Sequence, residues 1–136
     1  MKIDRIIFAV SAVITNKSGN VLILKRSNTR TYNNYWQLPE GKLEQNENPN
    51  QALLREIYEE LGVKIKTSKF IDINHNTIRI ENDNCLVIRM IFTTKLRRMN
   101  NFALSHEHMA YRWFNPNKPT KLKLAPGVLN AIKRTY

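Results

Sequence analysis

The sequence predicts one α/β domain, residues 1–136, in which helices cover the faces of a mixed β-sheet. Three observations lead to this fold class. Segments rich in β-branched residues lie on both sides of one strongly marked helix, and a second amphipathic segment follows near the C-terminus. The chain of 136 residues, 42% of them hydrophobic, is long enough to bury a single sizeable core.

The N-terminal part of the chain predicts a hairpin followed by a polar loop. Residues 6–14 are apolar and rich in β-branched side chains, broken only by Ser11, which is typical of a buried strand. Residues 16–20 form a turn cluster of asparagine, serine and glycine, and residues 21–24 predict a second short strand. Residues 28–34 are polar and predict a loop.

The most strongly marked element is a helix between Asn48 and Gly62. Asn48 is a favourable N-cap, Pro49 suits the first helical position, and Gln51 completes a capping box with Asn48. Gly62 can adopt the left-handed conformation that ends a helix. The sequence therefore defines both ends of this helix.

Further strands and a closing helix are predicted downstream. The β-rich segments cover residues 63–74, 77–80, 86–96 and 109–114. Residues 126–134 predict a C-terminal helix, and its apolar side carries Val128, Leu129 and Ile132.

The composition is that of a globular protein without a membrane segment or a disulfide. No apolar run approaches the length needed to cross a bilayer, and the N-terminus lacks the pattern of a signal peptide. Cys85 is the only cysteine, so an internal disulfide is excluded and the expected location is the cytoplasm. The formal net charge of +11 predicts either an anionic partner, such as a nucleotide or nucleic acid, or simply a solvated basic surface.

Six of the 11 acidic residues nevertheless lie between Glu40 and Glu60. With about 100° of rotation per residue, Glu56, Glu59 and Glu60 share one face of the predicted helix. The opposite face is apolar and must pack on the sheet through Leu54, Ile57, Tyr58 and Leu61. The acidic face is then either a solvated surface or a site for a hard cation such as Mg²⁺, Mn²⁺ or Ca²⁺.

A longer motif contains these glutamates and decides between the two interpretations. From Gly41 the chain reads GKLEQNENPNQALLREIYEELGV, which matches every fixed position of the pattern G-x5-E-x7-R-E-U-x-E-E-x-G-U, where U is a bulky aliphatic residue. This pattern is the Nudix box, and the chain therefore resembles the Nudix hydrolases, including their MutT-like members. The Trp-x-x-Pro segment at residues 36–39 and the segment from Glu107 to Trp113 also look family-like. The resemblance implies an α/β/α Nudix sandwich around a mixed sheet.

The resemblance also implies a reaction and a metal. Nudix enzymes use water and a divalent cation to cleave a pyrophosphate linkage in a nucleoside diphosphate joined to another group. The implied cofactor is Mg²⁺, with Mn²⁺ as a substitute, because phosphate chemistry needs charge neutralisation by a hard cation. The positions that match the metal ligands of the family are the carbonyl of Gly41 and the carboxylates of Glu56, Glu59 and Glu60.

Other residues of the motif have supporting or catalytic roles by the same resemblance. Arg55 is expected to hold the glutamates by charge-assisted hydrogen bonds, and Glu47 to orient Arg55. The general base is either a glutamate of the motif, Glu56 or Glu59, or a carboxylate from a later loop, for which Glu107 is the candidate. Glu107 is also counted among the metal ligands.

Several residues near the motif keep two interpretations. Arg26 and Lys42 either contact phosphate or are ordinary surface cations. Tyr32, Tyr35 and Trp36 either stack on a base or pack in the core. The remaining acids of the cluster, Glu40 and Glu44, are interpreted as loop residues without a chemical role, and His106 and His108 as surface or supporting residues.

The leading hypothesis is a Mg²⁺-dependent pyrophosphohydrolase that converts a nucleoside triphosphate to the monophosphate and pyrophosphate. An alternative, suggested by the basic charge, is removal of pyrophosphate from the 5′ end of RNA. A second alternative is a non-catalytic Nudix module that binds a nucleotide, although such modules usually have a degraded box. The protein is expected to act as a monomer or homodimer.

Overall fold

The computed structural model describes residues 1–27, 32–96 and 102–135. These form a mixed, seven-stranded sheet and two helices, which confirms the predicted α/β class. The strands are β1 Arg5–Thr15, β2 Val21–Arg26, β3 Trp36–Gln37, β4 Glu40–Lys42, β5 Lys69–Ile80, β6 Asp83–Lys95 and β7 His108–Phe114. The helices are α1 Pro49–Leu61 and α2 Val128–Thr135. No helix of the described ranges is long and apolar enough to cross a membrane.

The first strand organises the sheet. β1 runs parallel to β6 along its whole length and antiparallel to β4 at its centre. The predicted hairpin of β1 and β2 exists only at its turn, where Thr15 pairs with Val21. Beyond that pair β2 leaves β1 and takes β7 and β3 as its neighbours. β4 instead pairs with the centre of β1, at Ala9, Val10 and Ser11.

The structure has one strand after α1 where the sequence predicted two. The segments 63–74 and 77–80 were expected to be separate, but a single strand, β5, runs from Lys69 to Ile80 and pairs with β6. The polar residues His75 and Asn76 do not interrupt it, because they continue the ladder opposite β6. Residues 63–68 lie outside any strand, and Val63 packs against the core near α1 instead.

Helix α1 has the predicted ends but a different buried face. Asn48 forms the capping box with Gln51, and Gly62 ends the helix in the left-handed region at φ 70°. The prediction that Leu54 and Tyr58 belong to the packed face is wrong, since Leu54 is only partly buried and Tyr58 is 52% exposed. The buried residues of the helix are Ala52, Leu53, Ile57, Glu60 and Leu61. The helix is thus rotated toward Glu60, which brings a carboxylate into its packed face.

The two faces of the sheet carry two apolar clusters. On one face, α1 packs against Val10, Ala12 and Ile14 of β1. α2 covers the other face through Val128, Ala131 and Ile132. Leu129 was predicted on the apolar side of α2 but is 41% exposed, because Ala131 takes its place in the core.

Candidate active site

The packing of α1 places the acidic face of the helix against the short strand β4. Leu53 and Ile57 anchor the helix on the sheet and are almost completely buried. Their position turns Glu60 inward, where only 5% of its side chain is exposed, and leaves Glu56 beside β4 with 15% exposed. Glu59 lies at the outer edge with 56% of its side chain exposed. One helix face therefore presents three carboxylates at three depths.

Gly41 allows the backbone of β4 to approach Glu56. A Cβ atom at position 41 would lie 1.8 Å from Cδ of Glu56 and within 2.3 Å of both carboxylate oxygens. Only a residue without a side chain permits this approach. The backbone of Gly41 and the carboxylate of Glu56 therefore form one surface.

Arg55 joins the loop before the helix to the carboxylates. Its guanidinium donates two hydrogen bonds to Glu47, at 2.6 and 3.1 Å, and one of 2.8 Å to Glu56. It also donates to the carbonyl of Lys42 at 3.0 Å and to Glu59 at 3.3 Å. The hydrogen bond from Arg55 lowers the pKa of the Glu47 carboxyl. The bidentate pair fixes the guanidinium, and the guanidinium in turn orients Glu56.

The two inner carboxylates have an affinity for positive charge that the protein only partly satisfies. Burial raises the pKa of Glu56, and this outweighs the opposite effect of the Arg55 hydrogen bond. Burial, reinforced by repulsion from Glu56, raises the pKa of Glu60 well above its usual value. Oε2 of Glu60 has no hydrogen-bond partner within the described residues. A bound cation would offset both the repulsion and the lost hydration.

A chain of buried polar side chains reaches Glu60 from the opposite side. Arg26 donates to the side-chain oxygen of Gln37, so the amide nitrogen of Gln37 faces Nε2 of His108 at 2.9 Å. Nδ1 of His108 then carries the proton and lies 3.9 Å from Oε2 of Glu60. Burial, with a contribution from the charge of Arg26, lowers the pKa of His108 to about 4. His108 is a neutral supporting residue rather than a surface residue.

The carboxylates open into a cavity of about 990 Å³. Of the acidic, basic, histidine, tyrosine and glycine residues singled out in the sequence, the following line it: Arg26, Tyr32, Glu40, Gly41, Lys42, Glu44, Glu56, Glu59, Glu60, His106 and Glu107. Glu47 and Arg55 do not line the cavity, but Arg55 donates a hydrogen bond to Glu56, which does. Trp36 does not take part, because it is 8% exposed and packs in the cluster under α2.

The glutamates share a wall of the cavity without forming a closed ligand set. Over residues 1–27, 32–96 and 102–135, no three acidic, histidine or cysteine side chains are grouped closely enough to hold a metal ion. Glu56 and Glu59 instead turn toward Arg55. Glu107 lies on an exposed loop, yet its charge contributes to the raised pKa values of Glu56 and Glu60. The loop thus brings a fourth carboxylate to the same wall.

The interpretation of Glu40 as a loop acid is wrong. Glu40 begins β4, accepts a hydrogen bond of 2.7 Å from Ser11 and forms an ion pair of 2.5 Å with Arg89. Its backbone N–H donates to Oε1 of Glu60 at 3.3 Å. Arg89 also donates to Asn76. The sequence offered one signal for this network, since an arginine in the middle of an apolar strand needs a partner.

Three comparisons place this geometry among known proteins. A sequence model of the NUDIX domain matches residues 6–134. An 8-oxo-dGTP diphosphatase of Proteus vulgaris is 42% identical over 62 residues, which are 46% of this chain and 55% of that protein, so the chain spans about half of its length. A CTP pyrophosphohydrolase of Escherichia coli (strain K12) is 26% identical over 117 residues, 86% of this chain and 82% of that protein. The crystal structure of a MutT protein from Methanosarcina mazei Go1 superposes with a TM-score of 0.79 and 26% identity, over 98% of this chain and 95% of that one.

Proposed function

The chain belongs to the Nudix family of pyrophosphohydrolases, and from this premise we propose that it hydrolyses a nucleoside triphosphate to the monophosphate and pyrophosphate with the help of Mg²⁺. The observation that carries the proposal is the wall of the cavity. Glu56, Glu59, Glu60 and Glu107 share it with the cations of Arg26 and Lys42. This arrangement of charges fits a polyphosphate: the carboxylates would hold a hard cation that neutralises its charge, and the basic side chains would bind its free oxygens.

The donor atoms present fit a hard divalent cation. Carboxylate and carbonyl oxygens are the ligands that Mg²⁺ accepts, and Mn²⁺ shares this preference. Glu60 carries a buried oxygen without a hydrogen-bond partner among the described residues, which is the kind of atom that a cation would satisfy. We assign Glu56, Glu59, Glu60 and the carbonyl of Gly41 as the residues that would hold it, with Glu107 as a further ligand.

When bound, the cation would neutralise phosphate charge and acidify a coordinated water. The chain's own residues supply the remaining chemistry. Arg55 holds Glu56 at the wall and is itself held by Glu47, so that the ligand carboxylate is pre-oriented. Arg26 and Lys42 bind the phosphate oxygens from the same cavity.

We assign the proton transfer to Glu107, with Glu56 and Glu59 as the alternatives in the motif. Glu107 is exposed and lines the cavity, so an attacking water can reach it. Glu56, in contrast, is committed to Arg55. Glu107 can accept a proton from water without breaking the network that holds the other glutamates.

The test is a panel of nucleotides with Mg²⁺, with Mn²⁺ and with EDTA. We expect pyrophosphate and a nucleoside monophosphate as products, and loss of activity in EDTA. Glu59→Gln and Glu60→Gln should each abolish this activity, whereas Glu81→Gln, at the exposed turn between β5 and β6, serves as the matched control. Retained activity in both variants of the motif would contradict the metal assignment.

RNA with a 5′-triphosphate is the second candidate substrate, because the formal net charge of +11 favours a polyanion. If RNA is the substrate, its turnover should fall steeply with salt while that of a mononucleotide changes little, since binding of a polyanion releases many counterions. An equal response to salt on both substrates would favour the mononucleotide.

A further inference from the structure

The floor of the cavity carries a polar pair that the hydrolytic chemistry does not use. Asn74 on β5 and Arg89 on β6 are direct partners in the antiparallel ladder, so their side chains lie on the same face of the sheet. Both residues line the cavity. Neither belongs to the Nudix box, and neither contacts one of its glutamates through a described hydrogen bond. The pair therefore needs a separate explanation.

Arg89 is held rigidly and still has donors to offer. Its Nε donates to Oε1 of Glu40 at 2.5 Å and its Nη1 donates to Asn76, while the hydroxyl of Ser11 donates to the same oxygen of Glu40 at 2.7 Å. These described bonds use two of the five N–H groups of a guanidinium. The remaining N–H groups belong to a side chain that faces the cavity and is only 10% exposed. Glu40 balances the charge, so Arg89 acts as a fixed fork of donors.

Asn74 complements this fork with an acceptor. Its amide nitrogen donates to the carbonyl of Gly127 at 3.1 Å, which determines the orientation of the amide. Its oxygen is then left buried, and no hydrogen-bond partner is found for it in the part of the chain that the structure describes. A buried acceptor without a partner is costly, so a ligand that donates to it gains that free energy.

Apolar side chains also line this cavity. They include Ile7, Ile78, Ile80 and Val87 of the strands β1, β5 and β6. Flat aromatic ligands bind in such places, with their faces on aliphatic side chains and their edges on a few fixed polar groups. The carboxylates of the box line the same cavity, so one ligand can reach both regions.

We propose that Asn74 and Arg89 form the subsite that recognises the base of the nucleotide, and that they select bases with a ring carbonyl over adenine. The inference rests on the proposed function, which places the phosphates at the glutamates. In this subsite a carbonyl oxygen of the base accepts hydrogen bonds from Arg89. A neighbouring ring N–H or amino group donates to the oxygen of Asn74.

The donor excess of the site is the reason for the selection. Arg89 has no acceptor, and a carbonyl oxygen offers two lone pairs to its fork. Guanine, hypoxanthine, uracil and thymine carry such an oxygen beside a ring N–H that can donate to Asn74, whereas the carbonyl of cytosine lies beside a ring nitrogen that only accepts. Adenine has no carbonyl, and the single lone pair of a ring nitrogen leaves one donor of Arg89 unmatched. Sites built on hydrogen bonds discriminate strongly against a ligand that leaves their polar groups unpaired.

Inosine and adenosine triphosphates provide the decisive comparison, because they differ only at this edge of the base. We expect kcat/KM of the wild-type protein to favour inosine triphosphate by about 10-fold or more, the discrimination of one well-formed pair of hydrogen bonds. Asn74→Leu removes the acceptor and should lower the ratio only in part, because Arg89 keeps its donors. Arg89→Lys keeps the charge opposite Glu40 but replaces the fork by a point donor, and should lower the ratio as well.

His75→Ala is the matched control, because His75 is an exposed neighbour on the other face of β5 and should leave the ratio unchanged. Thermal melting of each variant verifies that it is folded. An unchanged ratio in folded Asn74→Leu and Arg89→Lys, or a wild-type preference for adenosine triphosphate, overturns the inference.

Binding of inosine and adenosine monophosphates separates this inference from the proposed function. The monophosphates carry the base but no anhydride. If the wild-type protein prefers inosine monophosphate and hydrolyses no triphosphate, the subsite stands and the proposed function fails. If triphosphates are hydrolysed without a preference between the two bases, the proposed function stands and the subsite fails.

Discussion

Substitution of Gly41 by alanine should lower the activity strongly and the stability only slightly. The backbone of Gly41 is outside the left-handed region, so alanine is allowed there and the new Cβ is the only difficulty. That atom would lie 1.8 Å from Cδ of Glu56, whereas Cβ contacts below 3.0 Å essentially do not occur, so the carboxylate must move by at least about 1.2 Å. A misplacement of about 1 Å in a catalytic group costs on the order of 100-fold in rate.

The cost in stability should be much smaller, because the side chain of Glu56 can rotate away. The displaced carboxylate loses its hydrogen bond with Arg55, which is a charge-assisted contact of about 1.5–3 kcal/mol. Alanine recovers roughly 0.5–1 kcal/mol relative to glycine in a strand. We expect Gly41→Ala to lower kcat/KM by about 100-fold, and the free energy of unfolding by only about 1–2 kcal/mol.

Metal-dependent turnover and urea unfolding of the same preparations measure the two effects, and Glu56→Ala provides the control. In a Glu56→Ala background the additional change Gly41→Ala removes no contact, so it should not destabilise the protein further. An equal loss of stability in both backgrounds would refute the steric argument. Unchanged kcat/KM in Gly41→Ala would refute the importance of the position of Glu56.

Three further predictions follow from the hydrogen bonds and the pKa shifts. Glu47→Gln weakens the support of Arg55 and should lower kcat about 10- to 100-fold with little change in KM. In EDTA, the free energy of unfolding should fall as pH rises above 4.5 through the raised pKa of Glu60, because the folded state then holds a buried charge. Glu60→Gln removes this charge, so it should melt at a higher temperature than the wild-type protein at pH 7 and should lose the stabilisation by Mg²⁺. His108 has a lowered pKa, so its contribution of at most about 3 kcal/mol should be lost as pH falls from 6.5 to about 4, and His108→Gln should lack this loss in melting experiments.

Local sequence was sufficient where the determinants are themselves local. The ends of α1 follow from a cap, a proline and a glycine that act within one helical turn, and the structure has all three in place. The spacing of Glu56, Glu59 and Glu60 likewise follows from helix geometry alone. The prediction of two strands at the position of β5 was wrong because its determinant is not local. The ladder with β6 continues through His75 and Asn76 despite their polar side chains.

The sequence by itself determined the helix and the chemical nature of its acidic face. Only the tertiary structure decided how deep each carboxylate lies and what surrounds it. Glu60 became a buried group because Leu53 and Ile57 rotate α1 onto the sheet. Its neighbour His108 comes from a strand 48 positions later in the chain. Arg89 meets Glu40 across a similar interval, and such pairings arise from the packing of distant segments, which no local pattern encodes.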